Sequence, residues 1–386
     1  MSHLLSNNST FNPKKGIHTA EEISKQPKTW TDVWEEAYNQ QEDIKDFFNE
    51  IFKQKKFNIV LTGAGSSAFI GNVVTTTWKN IFDKPTQAIP TTDLVTHFTD
   101  YIHTGSTLLL ISFARSGNSP ESNAAIQLAN SHCQQVFHLI ITCNPDGKLA
   151  KMEGRDNTYV FLLPDGAEDK SLAMTNSFTS MTLAAMLIPQ LLMGSDKNEI
   201  DQQIERLSQY GQKIVQDYAD IFHEISLNEF NKIVFLGSGS KWGIARESHL
   251  KVQELTDGKV VGKFDSFLGF RHGPKAIIDD QTLLVYLISN KQDVFQYEKD
   301  LISQIHAHDI GVTTLAITEK PYDIINTDYT VTIEKESYID DNLWAIACTL
   351  PAQIIGFYKS LALNYDPDNP SPDGTISRVV EGVTIY

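Results

Sequence analysis

FNIVLTGAGSSAF occupies residues 57–69, and FNKIVFLGSGSKW occupies residues 230–242. Each reads as an apolar strand, a Gly-x-Gly-Ser turn and the start of a helix. Gly65 and Gly239 hold the same place in the two stretches. The agreement extends outward from these turns. TLLLIS, from Thr107, has its counterpart in TLLVYLIS, from Thr282. LIITCN and LAITEK align Thr142 with Thr318, and YVFLLP and YTVTIEK align Tyr159 with Tyr329. Four landmarks in one order, each separated from its counterpart by nearly the same length of chain, mark a duplicated domain.

Within each copy, short apolar runs alternate with longer helical patterns. The runs are continuous rather than alternating, as in strands buried on both faces. Each copy is therefore expected to be α/β, a parallel sheet flanked by helices in a flavodoxin-like three-layer αβα arrangement. In such sheets a ligand sits beyond the carboxyl ends of the strands, where both glycine turns lie. The expected division is an N-terminal helical extension over 1–53, a first domain over 54–195, a second over 196–365 and a tail over 366–386. The polar stretch MGSDKNEIDQQ, from Met193, reads as the break between the halves. Trp30, Val33, Trp34, Ala37, Tyr38, Phe48 and Phe52 recur at roughly helical spacing. They predict a packed helix, since the opposite face is acidic rather than basic.

With 386 residues and 41% hydrophobic content, the chain is long enough for two or three cored domains. A net charge of -16 with no lysine or arginine run argues against nucleic acid as a partner. No apolar stretch reaches membrane-spanning length, and the first residues lack the apolar core of a signal peptide. Cys133, Cys143 and Cys348 form no CxxC and read as small buried residues of a reducing compartment. The expectation is a soluble cytoplasmic protein.

ISFARSGNSPES, residues 111–122, follows an apolar strand and enters a helix. Ser119 suits the N-cap and Pro120 the first helical position. The hydroxyls of Ser116 and Ser119 then meet the positive end of the helix, a place for phosphate. An ordinary polar turn would look the same. Gly63-Ala-Gly65 invites a dinucleotide reading, but the third glycine of that fingerprint falls at Ala68, and Trp242 stands there in the second copy. No GK[ST] follows any glycine loop. What remains is hydroxyl-rich, with Ser66 and Ser67 on one turn and Ser116 and Ser119 on the other, and suits one small phosphorylated ligand.

The second copy lacks the serine loop and reads NKQDVF instead. Its helix carries Glu247, Lys251 and Glu254 at i, i+4 and i+7, on one face. Spacing alone favours a solvated ion-pair ladder. His272, before Gly273 and Pro274, argues for a fixed turn, and a lone histidine there is more often structural than catalytic. A carboxylate, a lysine and a histidine that met would make a proton-transfer set. His306 and His308, the one tight histidine pair, read as surface helix rather than a metal site.

These residues resemble a known family. Paired Gly-x-Gly-Ser turns with a serine-rich loop are similar to the sugar isomerase (SIS) domain, present in tandem over nearly the whole chain after about residue 50. ESHLKVQE (247–254) followed by RHGP (271–274) resembles the isomerase half of glucosamine-6-phosphate synthase. FARSGNSPES (113–122), DKSLAMTNSFTS (169–180), FLGFRHGPKAII (267–278) and RVVEGVTIY (378–386) resemble the AgaS family. That family is described as galactosamine-6-phosphate deaminases or tagatose-6-phosphate ketose/aldose isomerases. The resemblance implies that Ser67, Ser116 and Ser119 hold the phosphate, with Ser66 and Arg115 close by. It implies that Glu254 carries a proton between C1 and C2 of the open-chain sugar, with Lys251 and Glu247 tuning it. It implies that His272 opens the ring, from the neighbouring subunit as in the synthase, and that Thr175 lines the sugar site.

The implied reaction converts galactosamine 6-phosphate and water into tagatose 6-phosphate and ammonia, with no metal and no cofactor, in a homodimer or higher homo-oligomer. The alternatives are a ketose/aldose isomerase without deamination and a non-catalytic sugar-phosphate sensor. Three positions depart from the synthase pattern. Its serine loop has Ala114 and Arg115 here, and its C-terminal lysine is Glu381.

Overall fold

A computed structural model describes residues 3–6, 12, 14–308, 311–322, 326–336, 338–379 and 383–386. Glu381 lies outside the described residues. Helices α1 (His3–Ser6), α2 (Ile17–Asn39) and α3 (Gln41–Phe52) precede the first sheet. That sheet and its helices are β1 (Asn58–Thr62), α4 (Ser66–Phe82), β2 (Thr86–Ala88), α5 (Thr91–Tyr101), β3 (Thr107–Ala114), α6 (Pro120–His132), β4 (Gln135–Thr142), β5 (Thr158–Leu162) and α7 (Asn176–Leu192). After α8 (Lys197–Asp217) and α9 (Ala219–Leu227) come β6 (Lys232–Gly237), α10 (Ser240–Leu255), β7 (Val261–Asp265), α11 (Phe267–Phe270) and β8 (Thr282–Leu287). The last are α12 (Gln292–His306), β9 (Thr313–Thr318), β10 (Tyr329–Thr332), α13 (Asp341–Ala347) and α14 (Leu350–Ala362).

Two compact units result, each drawing on several stretches of chain. One takes the described residues of 28–169, 176–201 and 376–386, and the other those up to Pro27, of 170–175 and of 202–375. Each holds one five-stranded sheet, and every strand pairing is parallel. The orders are β2-β1-β3-β4-β5 and β10-β9-β8-β6-β7. Read from the other edge, the second is β7-β6-β8-β9-β10, the first order repeated. The expected α/β architecture is present, and it has the flavodoxin-like order, whose direction reverses between β1 and β3 and between β6 and β8.

The central strands explain why they are parallel. From its second residue, β3 is buried without a break, as is β4, and all of β8 is buried. A strand with no polar face needs a helix on each side, and right-handed crossovers supply one. One cluster of Val60, Leu108, Leu110, Ala125, Ile126 and Ile140 packs strands against α6, and Val234, Leu236, Leu284, Tyr286, Leu301 and Ile302 form its counterpart against α12.

Two local expectations need correction. The predicted helix from Trp30 to Phe52 is two helices meeting at Gln40, and the first begins at Ile17. The break lets Ile44, Phe48 and Ile51 bury on their own line while α3 packs on α7 and β5, leaving Phe52 exposed. The polar break at Met193 is shorter than its composition suggests, because α8 starts at Lys197 and buries Ile200, Ile204 and Leu207 through an otherwise charged sequence. The tail is anchored in its first part. Asp368 accepts the backbone N–H groups of His18 and Thr19 at 3.1 and 2.7 Å, and Asp366 that of Gly16 at 2.8 Å. These aspartates satisfy N–H groups that α2 leaves open at its start.

The strand-to-helix turns are built alike in both sheets. A Cβ on Gly63 would stand 2.6 Å from the Ser67 carbonyl carbon, and one on Gly237 would collide with the Lys241 carbonyl oxygen. Gly65 and Gly239 take φ values of 56 and 61°, in the left-handed region. Gly63→Ala is expected to lower stability by about 1–3 kcal/mol, read as a lower denaturant midpoint at unchanged m.

His138 in β4 is buried, with Nε2 2.9 Å from Asn130 Oδ1. Burial pushes its pKa down to about 4. An unfolded histidine takes its proton near pH 6.5. The unfolded chain thus binds a proton that the folded chain refuses, and stability falls as the pH drops from about 6.5 towards 4. Denaturation midpoints across that range should flatten in His138→Leu.

Candidate active site

In the first unit, the turn 63–65 leaves β1 and the loop 115–119 leaves β3. These strands are neighbours, with Thr62 opposite Ser112, so both loops stand at the carboxyl edge where the strand order reverses. Ser66 and Ser67 open α4 and are each 5% exposed. Ser119 caps α6, as its sequence predicts, accepting the Ser122 N–H at 3.3 Å and donating to Ser122 Oγ at 2.8 Å. Pro120 follows at the first helical position. Ser116 is half-buried, and its Oγ accepts the Asn118 N–H at 3.3 Å.

The loop is braced from the β4 side. Asn144 Nδ2 donates to the Ser116 carbonyl at 3.0 Å, Thr142 Oγ1 to that of Ala114 at 2.7 Å, and the Lys148 N–H to Asn118 Oδ1 at 3.1 Å. A serine-rich turn with no such bracing would be an ordinary connection; this one is held in shape. Arg115 is buried, and its Nη2 donates to the Arg378 carbonyl at 2.5 Å. Arg378 in turn reaches Glu168 Oε1 at 2.7 Å. The guanidinium of Arg115 is thus fixed by the C-terminal segment rather than left to swing.

In the second unit, α10 presents Glu247, Lys251 and Glu254 on one face. Lys251 Nζ lies 3.2 Å from Glu247 Oε1 and 2.7 Å from Glu254 Oε2. The solvated ladder that spacing favours is not what forms. Glu247 and Lys251 are fully buried, and only the Glu254 side chain, at 24% exposure, reaches the surface. The cause is tertiary: α14 packs along α10, so close that a Cβ on its Gly356 would sit 2.9 Å from Leu255 Cδ1. Burial works against the Lys251 charge, but Glu247 and Glu254 outweigh it and hold its pKa above the ordinary value.

His272 is not in that cluster. It stands exposed on the turn after α11, with its N–H donated to the Gly269 carbonyl at 2.9 Å and Gly273 at φ 114°. The turn is fixed, as expected, and the ring is free to meet solvent or another molecule. Thr175 is buried, and its carbonyl accepts Gln353 Nε2 at 3.4 Å. His306 ends α12 exposed, with Nε2 2.8 Å from Asn326 Nδ2, and no cluster of metal-ligating side chains occurs among the described residues.

The SIS domain profile matches residues 50–189. The D-galactosamine-6-phosphate deaminase AgaS of Escherichia coli O157:H7 is 36% identical over 375 residues, 96% of each chain. The chain belongs to the AgaS family. AgaS of Shewanella sp. (strain ANA-3) is 37% identical over 95% of this chain and 91% of that one. The crystal structure of tagatose-6-phosphate ketose/aldose isomerase from Escherichia coli superposes with a TM-score of 0.87 at 34% identity, covering 96% of both chains.

Sequence reasoning missed the polar network that fixes the segment carrying Thr175 in this AgaS-family chain. Glu22 on α2 accepts the N–H groups of Lys170 and Ser171 at 2.5 and 3.2 Å and the Ser171 hydroxyl. Gln26 Nε2 donates to Gln353 Oε1 at 2.6 Å. In the other unit, Asp169 accepts the N–H groups of Asn176 and Ser177, at 2.9 and 3.0 Å, and caps α7. The sequence carries no signal for it, since Glu22 and Asp169 stand in polar stretches and the partners of Glu22 and Gln26 lie far along the chain.

Lys251→Met leaves Glu247 buried without its cation and is expected to cost about 3–5 kcal/mol by denaturant unfolding. Glu247→Gln combined with Lys251→Met should recover much of that loss. If the double variant is no more stable than the single one, the pair is not the buried unit described here.

Proposed function

We propose that the chain is an amino-sugar-phosphate deaminase that converts galactosamine 6-phosphate and water into tagatose 6-phosphate and ammonia. Similarity to AgaS deaminases over nearly the full length supports the substrate class. The observation that carries the chemistry is the α10 cluster, in which a buried lysine fixes one carboxylate behind it and one at the surface. A structural ion pair has no need of the third, exposed member. A proton carrier does.

In this reading Ser67, Ser116 and Ser119, with Ser66 and Arg115, bind the phosphate through hydroxyl, N–H and charge-assisted hydrogen bonds. Binding energy from that remote group positions the reacting carbons. His272 assists ring opening. Glu254 takes the proton from C2 and returns it to C1 while a second proton passes from the amine to O1, so the C2 amine becomes a ketimine and C1 an alcohol. Water adds to the ketimine carbon and the C–N bond breaks, leaving the ketose and releasing ammonia. Lys251 and Glu247 position Glu254, and Thr175 lines the sugar site. Without an amine, the same proton shift interconverts aldose and ketose, which the tagatose-6-phosphate ketose/aldose isomerase name of the Escherichia coli structure favours as the second reading. A sensor would keep the serines without Glu254 and His272. We further infer a homo-oligomer, to which His272 on its exposed turn contributes, acting in the cytoplasm without nucleic acid. No helix among the described residues is long and apolar enough to cross a membrane.

The test is ammonia release from galactosamine 6-phosphate, with glucosamine 6-phosphate alongside. Glu254→Gln should lower kcat by about 10²–10⁴-fold with little change in KM. Ammonia from neither sugar, with tagatose 6-phosphate isomerised instead, would establish the second reading. No turnover of any of the three would leave the sensor.

A further inference from the structure

The second sheet has a carboxyl edge built like the first, and it is occupied. Lys241 is the second residue after the Gly239 turn, as Ser67 is after Gly65. Its side chain is fully buried and its Nζ lies 2.6 Å from Asp341 Oδ1 and 3.2 Å from the Asp341 carbonyl. Ser289 and Asn290 follow β8 as Arg115 and Ser116 follow β3. Ser289 Oγ donates to Asp341 Oδ2 at 3.1 Å, and the Asn290 N–H to Asp341 Oδ1 at 2.7 Å. Asp341, at the start of α13, thus receives an ammonium, a hydroxyl and a backbone N–H of the loop beyond the strand. That donor set is the one by which proteins hold phosphates and carboxylates.

Other donors of the same loop are already engaged. The Ser289 N–H is taken by Glu298 Oε2 at 2.9 Å, and Ser289 Oγ accepts the Lys291 N–H at 3.2 Å. Lys291 precedes α12 where Ser119 precedes α6, and it makes no side-chain cap. A fully buried lysine needs a counter-charge, and the Asp341 side chain, 11% exposed, is the anion bound to it.

We propose that Asp341 is a built-in ligand: its carboxylate fills the oxyanion site of the second sheet, and a chain lacking it binds a small oxyanion there instead. The duplicated fold keeps two anion sites. One is open, and the other is closed by the chain's own side chain.

The test is anion rescue. Asp341→Ala takes away the carboxylate bonded to the buried Lys241, with Glu298 the remaining carboxylate that acts on its charge, and the Tm should fall by about 5–10 °C. Formate or inorganic phosphate should restore at least half of that shift saturably, while wild-type protein gains much less from the same additions. Lys241→Met combined with Asp341→Ala should lose the rescue, since the cation is gone. Asp341→Ser, which also leaves the carboxylate position open, serves if the alanine variant does not fold. Phosphate also reaches the first sheet in every variant, so the comparison with wild type and with the double variant isolates the second. Rescue no greater than in wild type, or equal in the double variant, overturns the proposal.

Discussion

A strand buried on both faces can place polar chemistry only at its ends. Both sheets of this chain obey that constraint, and the positions of their charged and hydroxyl groups follow from it. β3, β4 and β8 are buried nearly throughout and mainly apolar, with His138 in β4 a buried exception bonded to Asn130. Their carboxyl ends carry Ser116 and Ser119, Thr142 and Asn144, and Ser289 and Asn290. The glycine turns enforce the arrangement by bringing the next helix against the strand with no room for a side chain. A helix start is thereby held beside each edge, with its open N–H groups among the loops.

The second recurring constraint is the handling of charge away from water. Lys251 lies between two carboxylates, Lys241 is matched by Asp341, and Glu22 and Asp169 are consumed by backbone N–H groups and hydroxyls. Each arrangement is costly to break from one side, because the remaining group stays buried. None is needed merely to stabilise a fold of this size. Their value is geometric, since a buried ion pair has one arrangement where an apolar contact has several.

Much of this was legible in the sequence, for a physical reason. The near-constant offset between GAGSSAF and GSGSKW, carried through the later strands, reflects a repeated backbone path, and repeated paths leave repeated glycines. Ser119 and Pro120 were readable because capping is local. Burial of Glu247 and Lys251 was not, because it depends on α14, a helix far along the chain from α10. The break at Gln40 was hidden because the apolar spacing continues through it, and the start of α8 because its charged residues mask the buried line of Ile200, Ile204 and Leu207. Nothing in the sequence pairs Lys241 with Asp341, for the same reason: sequence gives the identity of a charge but not its partner.

The bond between Arg115 and the Arg378 carbonyl spans 263 residues. On the ribosome, the serine loop and all five strands of its sheet are made first, and the whole second sheet follows before Arg378 exists. The residues of both sheets are therefore all made before the Arg378 carbonyl is available to Arg115. The arginine beside the serine loop is tied down by a residue translated after both sheets. The loop is braced from the β4 side without it, and a chain cut short before Arg378 would carry the residues of both sheets without this fastening of Arg115.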